Sequence, residues 1–308
     1  MKKLFTLLLA ALMLLSLTAC GAPQSDNSGT TANDAQAATG EAAGNDTTAA
    51  IETTAAELSF QELTVVDNEY CTIKITGIDP DNLFGYTLNA HLENKSSDKT
   101  YMFSVQSASV NGVQSDPLFA SEVAAGKKAN ETITFMSPEL EENGIVDFTD
   151  IELAFRVYDS DDWMADPVAE PIVHVYPYGE ENAVAFTREA LENDIVLVDN
   201  EFATVIVTGF EMDDIWGYSA NLYLVNKTDA SVMFSVDDAS VNGFMLDPFF
   251  ATSVNAGKCA FSSVTWMQNS LDENSITEVE TIEFLLRAYQ ADDIFAEDLV
   301  NQTITLNP

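Results

Sequence analysis

The chain repeats itself, and that repetition limits the fold more than any other feature. Val66-Asp67-Asn68-Glu69 recurs as Val198-Asp199-Asn200-Glu201, Phe84-Gly85-Tyr86 as Trp216-Gly217-Tyr218, and Asn94-Lys95 as Asn226-Lys227, each 132 residues later. After a one-residue deletion the offset becomes 131. Met102-Phe103-Ser104-Val105 then matches Met233-Phe234-Ser235-Val236, Ala108-Ser109-Val110-Asn111-Gly112 matches Ala239-Ser240-Val241-Asn242-Gly243, and Asp116-Pro117 matches Asp247-Pro248. Arg156 and Tyr158 match Arg287 and Tyr289 at the same offset. Colinear matches at an offset that changes by a single residue mean a tandem duplication. The unit is about 115 residues long, within the range of a single domain.

Each copy reads as short strands separated by turns. Thr72-Ile73-Lys74-Ile75-Thr76 alternates apolar and polar, as does Thr204-Val205-Ile206-Val207-Thr208, before Gly77 and Gly209 break the pattern. Further strands are expected from Tyr86 and Tyr218, from Tyr101 and Val232, at 131–135 and 263–266, at 151–158 and 282–289, and at 172–175 and 303–306. Asn111-Gly112 and Asn242-Gly243 are the strongest hairpin signals, because a type I′ turn needs positive φ at both central residues. The stretches 138–143 and 270–274 suggest a helical turn or loop. The fold class expected is all-β, two tandem β-sandwich domains from an internal duplication, over 58–178 and 195–308. Between them, 179–194 has good helix formers and reads as a spacer with a short helix.

The Gly-Tyr strand, the Asn-Lys turn, the Ser-Val-Asn-Gly hairpin and the Gly-Lys turn of each copy resemble the immunoglobulin-like β-sandwich domains repeated in lipoproteins and secreted proteins of Gram-positive bacteria. The resemblance spans most of 62–308 and implies a fold and a surface context more than an activity. The cysteine pair of antibody domains is absent. Cys71 and Cys259 fall in different copies at non-equivalent positions, which favours two free, buried thiols over a disulfide.

The amino terminus carries an address. Lys2 and Lys3 precede an apolar stretch too short to span a bilayer, which ends in Leu17-Thr18-Ala19-Cys20-Gly21. This segment resembles the lipobox of bacterial lipoproteins. The resemblance implies a signal peptide over 1–19, lipidation of Cys20, anchoring in the bilayer through the acylated cysteine, and an extracytoplasmic location at the cell surface. Residues 21–57 have no aromatic side chain and a single large aliphatic one, Ile51, so they read as a flexible tether.

Candidate chemistry is sparse. There are two histidines, His91 and His174, and neither recurs in the other copy. No cluster has zinc spacing and no glycine-rich phosphate loop follows a strand. Asp79 and Asp81, with Asp213 and Asp214 of the matching run Glu211-Met212-Asp213-Asp214, and Asp161 and Asp162 with Asp292 and Asp293, could offer oxygen ligands to calcium. They lack the later glycine and glutamate of an EF-hand, and loop carboxylates that form turns are the favoured reading. A carboxylate-dependent hydrolase is the weakest alternative.

Arg156 and Arg287 lie in apolar strands and are expected to make structural ion pairs, with Asp67 and Asp199 or with Asp116 and Asp247 as partners. Phe84, Tyr86, Trp216 and Tyr218 are either core or an exposed platform for sugar or peptide. Trp163 aligns with Ile294, which favours packing there.

With Lys+Arg 12 against Asp+Glu 50, the formal charge is −38, and Lys2 and Lys3 leave with the leader. Such a surface excludes nucleic acid, whose binding needs basic side chains to neutralise phosphates. The function expected is therefore a non-catalytic binding or structural module that meets a protein or glycan at the cell envelope. A calcium-binding surface module is the alternative.

Overall fold

A computed structural model describes residues 58–308 apart from 118 and 294; the leader, Cys20 and the tether lie outside the described residues. The first copy runs β1 (Leu63–Asp67), β2 (Cys71–Asp79), β3 (Tyr86–Asn94), β4 (Tyr101–Val110), β5 (Val113–Gln114), β6 (Ala120–Val123), β7 (Lys128–Phe135), α1 (Ser137–Glu142), β8 (Ile151–Asp159) and β9 (Ile172–Val175). The second runs β10 (Ile195–Asp199), β11 (Ala203–Asp213), β12 (Gly217–Asn226), β13 (Val232–Val241), β14 (Phe244–Met245), β15 (Ala251–Val254), β16 (Cys259–Trp266), α2 (Gln268–Glu273), β17 (Ile282–Gln290) and β18 (Val300–Leu306).

The element order is thus the same twice, and the chain is all-β apart from short helical turns. In the first copy the sheet β1-β2-β3-β7 faces the layer β9-β8-β4, with β5 and β6 paired to β4. Alternation dictates the facing. Every second residue of β8 from Ile151 to Val157 is buried, and these side chains meet Ile73, Leu88 and Ile133 of the opposite sheet in one cluster. Phe234, Leu222, Val264 and Leu286 occupy a second cluster in the other copy.

Three details depart from the pattern read in the sequence. Gly77 and Gly209 do not end their strands; the register slips between Ile75 and Gly77 and between Val207 and Gly209, and each strand continues to the acid beyond. Each copy opens on a further edge strand, β1 and β10, too irregular in alternation to stand out. The spacer forms only a 3-10 turn at Glu180–Asn182 rather than a helix reaching Leu191. Its N–H groups are used elsewhere. Val184 donates to Thr149 Oγ1 at 3.0 Å and Phe186 to the Asn111 carbonyl at 2.8 Å.

The copies are joined by an asymmetric contact. The hairpin at Asn111-Gly112 is the expected tight turn, with φ of 54° and 86°. Its Gly112 carbonyl accepts a bond from Cys259 N at 3.1 Å, and Cys259 pairs in parallel with Val113. The second copy's first sheet thereby continues into the first copy's second layer, giving nine strands. Gln114 clamps the joint, accepting from Asn255 N at 3.0 Å and donating to the Ser253 carbonyl at 2.9 Å. Lys258 pairs with Glu152 at 2.9 Å, and Glu152 also meets His174 Nε2 at 3.1 Å.

Phe186 lies edge-on to Phe261, which tilts against Tyr223. The counterparts of Cys259, Phe261 and Tyr223 in the first copy are Lys128, Asn130 and His91. Only the second copy therefore offers an apolar seat for such a hairpin.

Cys71 and Cys259 are free and buried, as expected, yet both contribute to the first copy's cluster. Burial pushes the Cys71 thiol up to about 11, which suppresses the thiolate.

The spacer is locked by Arg188, which donates twice to Asp194 at 2.7 and 2.6 Å and lies over the Tyr223 ring. Arg188, then the Leu191 amide, hold the Asp194 carboxyl at about 2, below its ordinary 3.8. A depressed aspartate stabilises fully above the ordinary value, and that stabilisation is lost as pH falls toward the folded one. The melting temperatures of the parent chain and Asp194→Asn are expected to differ at pH 6 and to converge as pH falls from about 4 toward 2. A difference unchanged at pH 3 would remove this role from Asp194.

Candidate functional site

The β2–β3 and β11–β12 loops place the sequence-selected aromatics. Asp213 Oδ1 accepts from the backbone N–H of Ile215 and Trp216, both at 2.7 Å. These two amides, Trp216 first, hold the Asp213 carboxyl below its usual range. In the first copy Asn82 Oδ1 accepts from Phe84 N at 3.1 Å. The capped loops push their tips outward: Phe84 is 76% and Trp216 64% exposed, beside the exposed Leu83 and Ile215.

Gly85 and Gly217, at positive φ of 127° and 103°, then turn the chain so that the next residue points inward. Tyr86 and Tyr218 are buried, Tyr86 stacked on Phe148 at 4.2 Å and Tyr218 on Phe210. The four candidates thus divide into two outward rings and two core tyrosines. Burial, the chief cause, pushes both phenols up.

Trp216 stands over a groove of about 560 Å³ on the outer face of β12 and β16. Ser219, Asn221, Ser263 and Thr265 form its floor, while Phe249 and Met267 complete its apolar walls. Phe249 is fixed by two backbone bonds to Thr265, at 2.7 and 3.2 Å. Glu211 and Asp213 border the groove. Phe249 was not legible as a site residue, because its 81% exposure follows from a loop path that no local pattern encodes.

The corresponding end of the first copy also holds a groove, of about 490 Å³. Phe84, Thr134 and Met136 stand there where Trp216, Thr265 and Met267 stand in the second copy. This groove is also lined by Leu140, Ile145 and, from the second copy, Phe261. Asp116 lines it, and burial raises its carboxyl pKa, opposed by a bond from Ala108 N at 2.8 Å.

The arginines make ion pairs with partners other than those expected. Arg287 grips Asp298 through Nε and Nη2, both at 2.9 Å, and reaches Asp237 at 3.2 Å. Arg156 donates to the Trp163 carbonyl at 3.0 Å, with Glu170 at 3.9 Å. Asp67 and Asp199 are instead taken by Lys95 and Lys227, the basic half of each Asn-Lys motif. Asp116 and Asp247 are not in either arginine's set. The chain between β8 and β9 carries the carboxylate to Arg156, which no fixed spacing announces. Trp163 is 65% exposed at the tip of that loop, not packed.

The acidic loops serve turns. Asp79 accepts from the Asn82 amide, Asp159 from Asp161 N and Asp293 from Phe295 N. Asp81, Asp161, Asp162, Asp214 and Asp292 are exposed. Among the described residues no group of three His, Cys, Asp or Glu side chains is placed to hold a metal ion.

No protein-family model matches the chain, and no curated protein matches it. Among solved structures it is similar to a red sea bream transglutaminase, at 10% identity and a TM-score of 0.23, over 79% of this chain. The match spans 31% of that protein's length. Among the described residues no helix is long and apolar enough to cross a membrane.

Proposed function

We propose that this chain is a non-catalytic, extracytoplasmic lipoprotein, tethered through Cys20, that binds a protein or glycan of the cell envelope in the Trp216 groove. One observation carries the reading: an exposed aromatic ring recurs over a groove at the same end of each copy, at Phe84 and at Trp216. Large apolar side chains gathered at the surface mark interaction sites. Aromatics also dominate the energetics of those sites. The lipobox supports the anchor. Three of the eight loop acids, Asp79, Asp213 and Asp293, serve turns, which favours binding over carboxylate catalysis there.

The test is an array of envelope glycans and peptides, probed with the full chain in nonionic detergent. Wild type is expected to retain a ligand that Trp216→Ala loses by about thirtyfold or more, as for an aromatic contributing about 2 kcal/mol. Trp163→Ala, equally exposed, is expected to bind as wild type. Ligand retention by Trp216→Ala would overturn the reading.

A further inference from the structure

The second copy's groove has a one-sided chemistry. Among the described residues lining it, none is Lys, Arg or His, while Glu211 and Asp213 both border it. Glu211 is exposed, and among the described residues none donates to its carboxylate. Asp213 spends Oδ1 on the loop amides and keeps its charge. The wider field has the same sign: from 195 to 308 the only basic residues are Lys227, Lys258 and Arg287. Each of these is already paired with a carboxylate. An anionic ligand would therefore meet uncompensated repulsion.

The floor narrows the class further. Ser219 Oγ and Thr265 Oγ1 bond each other at 2.9 Å, and Ser263 Oγ lies 3.4 Å from Thr265 Oγ1. The floor thus offers hydroxyls and the Asn221 amide but no charge. The charge of the groove is that of two carboxylates, beside the exposed rings of Trp216 and Phe249. A ring face attracts a cation through its quadrupole, with tryptophan the strongest. An N-alkylated ammonium suits both halves, because its apolar sheath costs little to desolvate and its charge is diffuse. The first copy's groove lacks this character. Its ring is Phe84, and the counterpart of Glu211, Asp79, is engaged by Asn82.

We propose that the groove at Trp216, Phe249, Glu211 and Asp213 binds an N-alkylated ammonium group of its envelope ligand, its methyl groups against the rings and its charge toward the carboxylates. This rests on the reading of the groove as a ligand site and adds the ligand's class.

The experiment titrates the full chain in nonionic detergent with choline and with its neutral isostere 3,3-dimethyl-1-butanol. The Trp216 indole N–H resonance, assigned by its loss in Trp216→Phe, is the readout. Choline is expected to move that resonance saturably, and at least tenfold more tightly than the isostere. Glu211→Gln is expected to weaken choline about tenfold and leave the isostere unchanged. Glu211 caps no backbone, so this variant keeps the loop intact. Equal affinity for the two probes would overturn the proposal, as would choline binding unaffected by Trp216→Ala, which would put the cation elsewhere on the acidic surface. A neutral envelope oligosaccharide that shifts the resonance where choline does not would also overturn it, while leaving the groove a ligand site. If no probe moves the resonance and the array finds no Trp216-dependent ligand, both readings fall.

Discussion

Replacing Gly217 by alanine is expected to destabilise the second copy by about 3 kcal/mol or more and to distort the Trp216 groove. Gly217 sits at φ 103°, a conformation that costs an L-residue on the order of 1–3 kcal/mol by itself. A Cβ there would also lie 2.1 Å from the Trp266 carbonyl oxygen and 2.5 Å from Gln268 N. Those atoms are backbone, so no rotamer change relieves the clash. The end of β16 must move, and with it Met267, a wall of the groove. Trp266 is fully buried with its indole bonded to the Leu246 carbonyl at 3.1 Å, so the movement reaches the core.

Gly243→Ala is the control. Its φ is 81°, but a Cβ there meets nothing within 4 Å. It is expected to cost only the conformational part, about 1–2 kcal/mol. Urea midpoints and slopes of both variants separate the two effects. An equal loss in both would show that the close approach to Trp266 carries no weight.

Asn226→Ala is expected to cost a similar amount, about 3 kcal/mol, by a different route. Asn226 is 1% exposed. Its Nδ2 donates to the carbonyls of Ala230, Val254 and Asn255 at 2.7, 2.8 and 3.0 Å, while Oδ1 accepts from Thr228 N at 2.9 Å. Alanine removes the hub and strands several backbone groups where water does not reach, each lost partner costing about 1–3 kcal/mol. Asn94 makes the same contacts to Lys99 and Val123 in the first copy, so Asn94→Ala is expected to match it.

Lys227→Ala is the contrast. Its pair with Asp199 at 2.6 Å is largely exposed and should be worth less than 1 kcal/mol. Chemical denaturation of the three variants distinguishes hub from rim. If Lys227→Ala cost as much as Asn226→Ala, the buried amide would lose its special place.

These two residues also show what could be read in advance. Gly217 and Asn226 both stood out by recurring 132 residues from Gly85 and Asn94. Recurrence marked them as necessary to the unit but did not say why. The turn at Asn111-Gly112 was legible to the residue, because positive φ is a local demand that a dipeptide can advertise. Its other role was not legible. Asn111 Oδ1 also accepts from Thr149 N and Asp150 N, and Asn242 does the same with Glu280 N and Thr281 N. Those partners lie about 38 residues away.

The candidate site followed the same division. The recurrence of Phe84-Gly85-Tyr86 as Trp216-Gly217-Tyr218 singled out the four rings but left them as either core or platform. Which of them face out depended on the opposing layer. Phe249 and Met267 reach the groove through tertiary pairing alone. Trp163 was misjudged because alignment with an isoleucine reports side-chain chemistry and not the course of a loop.

By itself the sequence determined the recurrence of motifs along the chain, and also the strand alternation and the hairpin turns, because the last two depend on a few residues and a short-range geometric requirement. Tertiary structure alone decided that the copies join asymmetrically, with Gly112 seated on Cys259 and Phe186 against Phe261. It also decided that the spacer is extended and that the second copy's groove stands open with its carboxylates and rings together. Those outcomes depend on which of two near-identical surfaces buries more apolar area. That difference lies in Phe261 against Asn130 and Tyr223 against His91, and it shows only where the two copies meet.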